Sequence, residues 1–295
     1  MATLQHIRRR IVSTQNTRKI TKAMEMVAAA KLRRAQGRIE ALRPYADGMV
    51  EMMRDLATFA GDRKAYALLH ENQGTGAEAL LVVSGDRGLA GAFNANVLRL
   101  YFESEAALRQ KGQSTRLLVV GKKGLGTLRF RGYEVEHSWT GLSDRPEYAD
   151  AIAIAHHVID LYVRHEVDRV HLVYNHFKSP MEQRVMDVVI LPIEPNDVYL
   201  REERDHKLPP VSYLYEPAEP AIFESLLPRY VEIAIHRALL ESSASEQGAR
   251  MTAMRNASES ADEMLSTLTL QMNRARQASI TQEILEVVAG AEALG

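Results

Sequence analysis

The stretch RYVEIAIHRALLESSASEQGARMTAMRNASESADEMLSTLTLQMNRARQASITQEILEVV, residues 229–288, decides the fold. Pro228 precedes it, no proline follows, and Gly248 is the one glycine before Gly290. For about sixty residues nothing forces a helix to stop. Leu240, Ala244, Gln247, Met251, Met254, Ser258, Ala261, Leu265, Leu268, Met272 and Ala275 recur at alternating steps of four and three, the repeat of a coiled-coil seam. Such a helix is ~90 Å long at its standard rise, whereas a compact chain of this length has a diameter of only ~50 Å. The helix is therefore expected to project from the body that bears it.

The N-terminus carries a matching pattern. Leu4, Ile7, Ile11, Thr14, Arg18, Thr21, Glu25, Ala28, Leu32, Ala35, Ile39, Leu42, Ala46, Met49, Met53, Leu56 and Ala60 step by three and four without a slip. The centre of this seam, Thr14 to Glu25, is polar where a two-helix seam is ordinarily apolar, so it is expected to face other chains or polar groups of the partner helix. Gly37 and Pro44 weaken the helix interior. With one long helix at each end of the chain, an antiparallel pair is the least costly arrangement. Its methionines, Met24, Met49, Met53, Met251, Met254 and Met272 among them, read as core packing or as an adaptable apolar surface.

Between the seams the period changes. Gly61 and the polar run to Gly76 read as a linker. Residues 79–83 and 117–120 are expected strands, 93–110 and 122–131 helices, and Tyr133-Glu134-Val135 a third strand. A helix is expected over 146–165 with Pro146 in its first turn, and strands over 170–174 and 185–191. Alternating strands and helices imply a mostly parallel sheet covered on its faces. The segment from Pro192 to Pro220 reads as a connector. The expected organisation is an N-terminal coiled-coil helix (1–60), a Rossmann-like α/β domain (76–195) and a C-terminal coiled-coil helix (215–295).

Composition excludes several function classes. There is no cysteine, which removes disulfides, thiol catalysis and thiol redox switching. No run of eighteen apolar residues offers a membrane span, and the N-terminus lacks a secretory apolar segment. A transit-peptide reading of the basic start is disfavoured because the seam already begins at Leu4. The net charge of −1 conceals an asymmetry: residues 1–43 hold eleven Lys and Arg against Glu25 and Glu40, so this segment is +9 and the remainder −10. A basic face this dense fits an acidic protein, an anionic membrane surface or nucleic acid, or else is a solvated helix face.

Motifs for chemistry are weak. Gly85-Asp86-Arg87-Gly88-Leu89-Ala90-Gly91 stands where a phosphate-binding turn would stand, but its spacing matches neither nucleotide template, and Gly121-Lys122-Lys123-Gly124 also fails. The histidines His156, His157, His165, His171 and His176 lack a metal-ligand spacing. The serines Ser242, Ser243 and Ser245 sit mid-helix without a nucleophile elbow. Near the C-terminus Arg274, Arg276, Gln277 and Thr281 are followed by Ile280, Ile284, Leu285, Val287 and Val288, an apolar tip that needs an external socket.

Three stretches carry a family resemblance. ITKAMEMVAAAK (20–31), DRGLAG (86–91) with Asn94, and the pair ALLES–ASEQ–ARM (238–251) and NRARQASITQEI (273–284) resemble the gamma subunit of F-type ATP synthases. That resemblance implies an antiparallel coiled coil with a Rossmann-like domain that binds no nucleotide and no cofactor. It implies a non-catalytic rotor shaft inside a ring of three alpha and three beta subunits, with the epsilon subunit and the membrane-embedded c-ring as further partners. Catalysis would belong to beta. The expected place is the cytoplasmic face of a bacterial inner membrane, reached only through the complex. Arg276, Gln277 and Thr281 would touch beta by motif. Lys19, Lys22, Lys31, Arg33 and Arg34 would ride past it by charge, with Arg87 as a weaker member. The dithiol regulation of chloroplast relatives cannot operate without cysteine. The rival readings are a basic coiled-coil nucleic-acid-binding or scaffold protein, whose binding would weaken steeply with salt, and a dehydrogenase-like enzyme, which lacks its glycine fingerprint.

Overall fold

In the computed structural model the described residues are 4–59, 66–72, 74–180, 182–194 and 219–292. They form α1 (Leu4–Phe59), β1 (Ala77–Val83), α2 (Phe93–Gln110), β2 (Ser114–Val120), α3 (Lys122–Phe130), β3 (His137–Trp139), α4 (Tyr148–Val163), β4 (Arg169–Phe177), β5 (Gln183–Leu191) and α5 (Glu219–Glu292). The chain divides into two compact units, one drawn from Met1–Ala29 with Arg250–Gly295 and the other from Ala30–Ala249.

In the first unit the two end helices pair antiparallel. Thr14 lies against Met264, Arg18 against Asp262, Thr21 against Ser258 and Glu25 against Arg255, the second number falling as the first rises. Ile7, Thr21, Glu25 and Ala28 on one helix and Met254, Ser258, Ala261 and Leu268 on the other are buried, at seam positions. The polar centre meets polar partners. Thr21 and Ser258 share a hydrogen bond of 2.7 Å, and Glu25 accepts from Lys22 at 3.0 Å and from Arg255 at 3.1 Å. Buried polar groups are stable only when satisfied, so these positions specify this partner and register.

The second unit is built on a five-stranded sheet of order β3-β2-β1-β4-β5. β1 pairs parallel with β2 and β4, β2 parallel with β3, and β5 closes one edge antiparallel to β4. Strand alternation divides the core. Ala79, Leu81, Val83, Leu118 and Leu172 pack with α4, with α1 through Ala46, Met49 and Met53, and with α5 through Leu227 to Leu239. Leu80, Val82, Leu117, Val119 and Val173 pack with α2 and with Leu128 of α3.

Three expectations are corrected. The third strand is His137–Trp139 rather than residues 133–135, because the parallel register of β2 reaches His137 opposite Leu118, while Tyr133 turns its ring onto Tyr101 and Phe102. Pro146 lies outside α4, whose first turn begins at Tyr148 after Glu147; the Asp150 carboxylate accepts the Glu147 N–H at 2.8 Å and supplies the start signal. α5 begins at Glu219 and runs through Pro228: burial of Leu227 and partial burial of Ile222 and Leu226 against the core outweigh the lost helix bond. Most of the expected connector, residues 195–218, lies outside the described residues.

Candidate functional site

The antiparallel register fixes the last described partner of α5 on α1. Carried on from Thr14 opposite Met264, Leu4 falls opposite Arg274. Burial agrees: Met272 and Ala275 are half-buried, and every residue from Arg276 to Ala291 is exposed. At a helical step of about 100° per residue, Arg276, Gln277 and Thr281 share one half of this segment with Ile280, Ile284, Val287 and Val288. Ser279, Gln282, Glu283 and Glu286 take the other half, where Ser279 donates to Glu283 at 3.3 Å and Gln282 to Glu286 at 3.0 Å. Thr281 donates its hydroxyl to the Gln277 carbonyl at 3.0 Å. The end of α5 is thus an amphipathic helix whose apolar half, at Ile280, Ile284, Val287 and Val288, is exposed. The structure brings the three motif residues onto that half.

The basic residues have more varied surroundings. Lys19 and Arg33 are exposed and have no carboxylate partner among the described residues. Lys22 pairs with Glu25 along the helix. Arg34 is exposed, its Nε 3.4 Å from the Ala30 carbonyl. Lys31 donates to both carboxylate oxygens of Asp144, at 2.6 and 2.5 Å, so its charge is engaged within the chain. Arg87 is exposed at the tip of the turn after β1.

That turn has an internal occupant. Asp86 accepts the backbone N–H groups of Lys122, Gly141 and Ser143 at 3.0, 2.9 and 3.1 Å. Burial pushes its carboxyl upward, but these three donors outweigh burial and leave it below the ordinary carboxylate range. A Cβ built on Gly85 would lie 2.9 Å from the Glu246 carboxylate of α5. A phosphate brought to this turn would meet a like charge. Among the described residues no cluster of three or more His, Cys, Asp or Glu could hold a metal, and no helix is long and apolar enough to cross a membrane.

Residues 3–294 match the family model described as ATP synthase. The chain is 44% identical to the ATP synthase gamma chain of Moorella thermoacetica over the full length of both, and 41% identical to that of Saccharopolyspora erythraea over 100% of this chain and 98% of the relative. The chain belongs to the ATP synthase gamma-chain family. Among solved structures it resembles a chain of the Tetrahymena thermophila mitochondrial ATP synthase central stalk and c-ring, with 29% identity and a TM-score of 0.60 over 81% of this chain and 99% of that one. A chain of the Euglena gracilis mitochondrial enzyme shares the fold at a TM-score of 0.69 and 19% identity, over 99% and 94% of the two chains. For a gamma-family chain, the absence of a nucleotide fingerprint in a Rossmann-like domain follows from role: this is the non-catalytic subunit.

Sequence reasoning missed a buried polar belt on α5. Glu241, Ser242, Ser243, Ser245, Glu246, Gln247 and Arg250 are all buried. Glu241 meets His176 at 2.6 Å and Arg237 at 2.7 Å; burial raises its carboxyl, yet these two partners bring it below the usual value. Ser245 donates to the Asn175 carbonyl at 3.2 Å. The signal that marks such a belt is polar residues on every face of a helix that also carries Leu239 and Leu240, since a seam leaves its outer face solvated.

Proposed function

We propose that this chain is the central rotor shaft of an ATP synthase, with its α5 tip seated in a ring of alpha and beta subunits and its α/β unit meeting the epsilon subunit and the c-ring. The full-length match to gamma chains carries this reading, and the exposed amphipathic end of α5 supports it, since an apolar half-helix in water needs a socket. Ion-driven rotation of the c-ring turns the shaft. Each catalytic beta subunit then meets a different face of it, and differential contact energies shift that site between conformations. The assembly sits at the cytoplasmic face of a bacterial inner membrane, to which this chain is attached through its partners.

Arg276, Gln277 and Thr281 contact beta, Arg276 through charge-assisted hydrogen bonds worth ~1.5–3 kcal/mol each. Lys19, Arg33 and Arg34 add electrostatic attraction to acidic segments, with Lys22 and Arg87 as outlying members. Tagging this chain and isolating its assembly from native membranes should recover alpha, beta, epsilon and c subunits; recovery of the chain alone or with nucleic acid would overturn the reading. Arg276→Glu with Gln277→Glu should lower coupled ATP turnover of the assembled complex, and unchanged turnover would remove these residues from the contact.

A further inference from the structure

Asp144, in the loop between β3 and α4, stands where three parts of the second unit converge. Its carboxylate accepts both hydrogen bonds from Lys31 of α1, at 2.6 and 2.5 Å, and one from the Gln247 side chain of α5 at 3.3 Å. The same loop is tied to the sheet from its other side: Ser143 and Gly141 donate their N–H groups to Asp86 after β1, and the Ser143 hydroxyl accepts the Asp86 N–H at 3.0 Å. Asp86 also caps Lys122 at the start of α3. A continuous chain of directional bonds therefore runs from the sheet, through residues 141–144, to both long helices.

The pair is a poor device for stability. The Lys31 and Asp144 side chains are 28% and 43% exposed, and ion pairs this wet contribute ~0–1 kcal/mol. Its value is directional. Near this point α1 presents Ala28, Leu32 and Ala35 to its neighbours, and apolar packing of small side chains is non-directional, so by itself it resists slip weakly when one element is twisted against another. The Lys31 ammonium and the Gln247 amide tie the Asp144 carboxylate to α1 and to α5 at named points, so that sliding of either helix past the loop stretches a hydrogen bond.

We propose that Lys31, Asp144 and Gln247 form a clamp that fixes the angular register of α1 and α5 to the α/β sheet, so that torque applied to the sheet turns both helices as one. They are positioning residues. This rests on the rotor reading above, and it reassigns Lys31 from a partner contact to an internal tie.

The test uses the whole membrane complex carrying Asp144→Asn, Lys31→Met or the exchange Lys31→Asp with Asp144→Lys, and measures coupling ions, protons or sodium, pumped per ATP hydrolysed. Each single change is expected to lower that ratio by about threefold, near the low end of what one residue of a coupling network contributes, with hydrolysis retained and the exchange restoring the ratio. An unchanged ratio in Asp144→Asn overturns the clamp. Should a single variant fail to assemble, an exchange that assembles and couples supports the clamp, and one that also fails overturns it. A wild-type complex that does not pump, or that lacks this chain, overturns the rotor reading instead.

Discussion

His171 stands between two carboxylates in the sheet. Its Nε2 lies 2.7 Å from Glu78 and its Nδ1 2.8 Å from Asp187, which also accepts the Ser104 hydroxyl at 2.5 Å. Burial pulls the imidazole pKa down, but the two carboxylates outweigh it and leave it above 6.5. A group whose folded pKa is raised stabilises fully below its unfolded value and loses that contribution as pH climbs through the folded one. Stability contributed by His171 is therefore present below about pH 6.5 and lost in the alkaline direction. His157 and His236, whose pKa values burial depresses, act oppositely, so the difference between the chain and His171→Gln reads this group. Denaturant midpoints taken from about pH 6 to about pH 9 should show that difference shrinking; a constant difference would mean that the imidazole titrates alike in the folded and unfolded chain. Gly121 sits at φ +96, and a Cβ there would fall inside the van der Waals shell of the Ser84 carbonyl. Gly121→Ala should cost about 3 kcal/mol or more, from left-handed backbone strain and overpacking together, measured as a shift in the same midpoint.

At the scale of elements, the polar centre of the helix pair decides register. Thr21 and Ser258 meet at 2.7 Å, while each hydroxyl also reaches a backbone carbonyl of its own helix, Arg18 at 3.0 Å and Met254 at 2.9 Å. Removing one hydroxyl strips the other of its cross-helix partner, whereas removing both leaves no orphan. Thr21→Val and Ser258→Ala should each destabilise by ~1 kcal/mol and the double variant by clearly less than the sum, a coupling read from a double-mutant cycle; strict additivity would mean that the two hydroxyls do not interact. This pair also marks what the sequence made legible. Seam positions follow from steps of three and four alone, and Thr21 and Glu25 were readable as contacts to polar groups of a partner because they interrupt an otherwise apolar repeat. α2 was readable residue for residue, since apolar period and flanking glycines agree. β3 was not, because the pairing of a three-residue edge strand depends on where β2 ends, and Tyr133 and Val135 have strand propensity yet pack as side chains. The belt from Glu241 to Gln247 was missed for the same reason: polarity is local, whereas burial on every side of α5 is set by distant residues such as Asn175, His176 and Asp144.

For the whole molecule, charge and register determine what is left for partners. The N-terminal excess of +9 is partly neutralised within the chain, through Arg18 with Asp262 and Lys31 with Asp144, while Arg8, Arg9, Arg10, Lys19, Arg33 and Arg34 stay exposed. The end of α5 is not buried by the described residues: every residue from Arg276 to Ala291 is exposed. Apolar side chains that stay exposed add nothing to the folding free energy of the chain that carries them, because the hydrophobic contribution follows area removed from water. Ending the chain after Ala275 should therefore leave its unfolding midpoint within about 0.5 kcal/mol of the full-length value, while coupled turnover of the complex built with it falls. The two measurements separate an end held by other subunits from one held by its own chain. If the shortened chain unfolds markedly earlier, the exposed face of Ile280, Ile284, Val287 and Val288 folds back on this molecule in solution, and the socket lies within it.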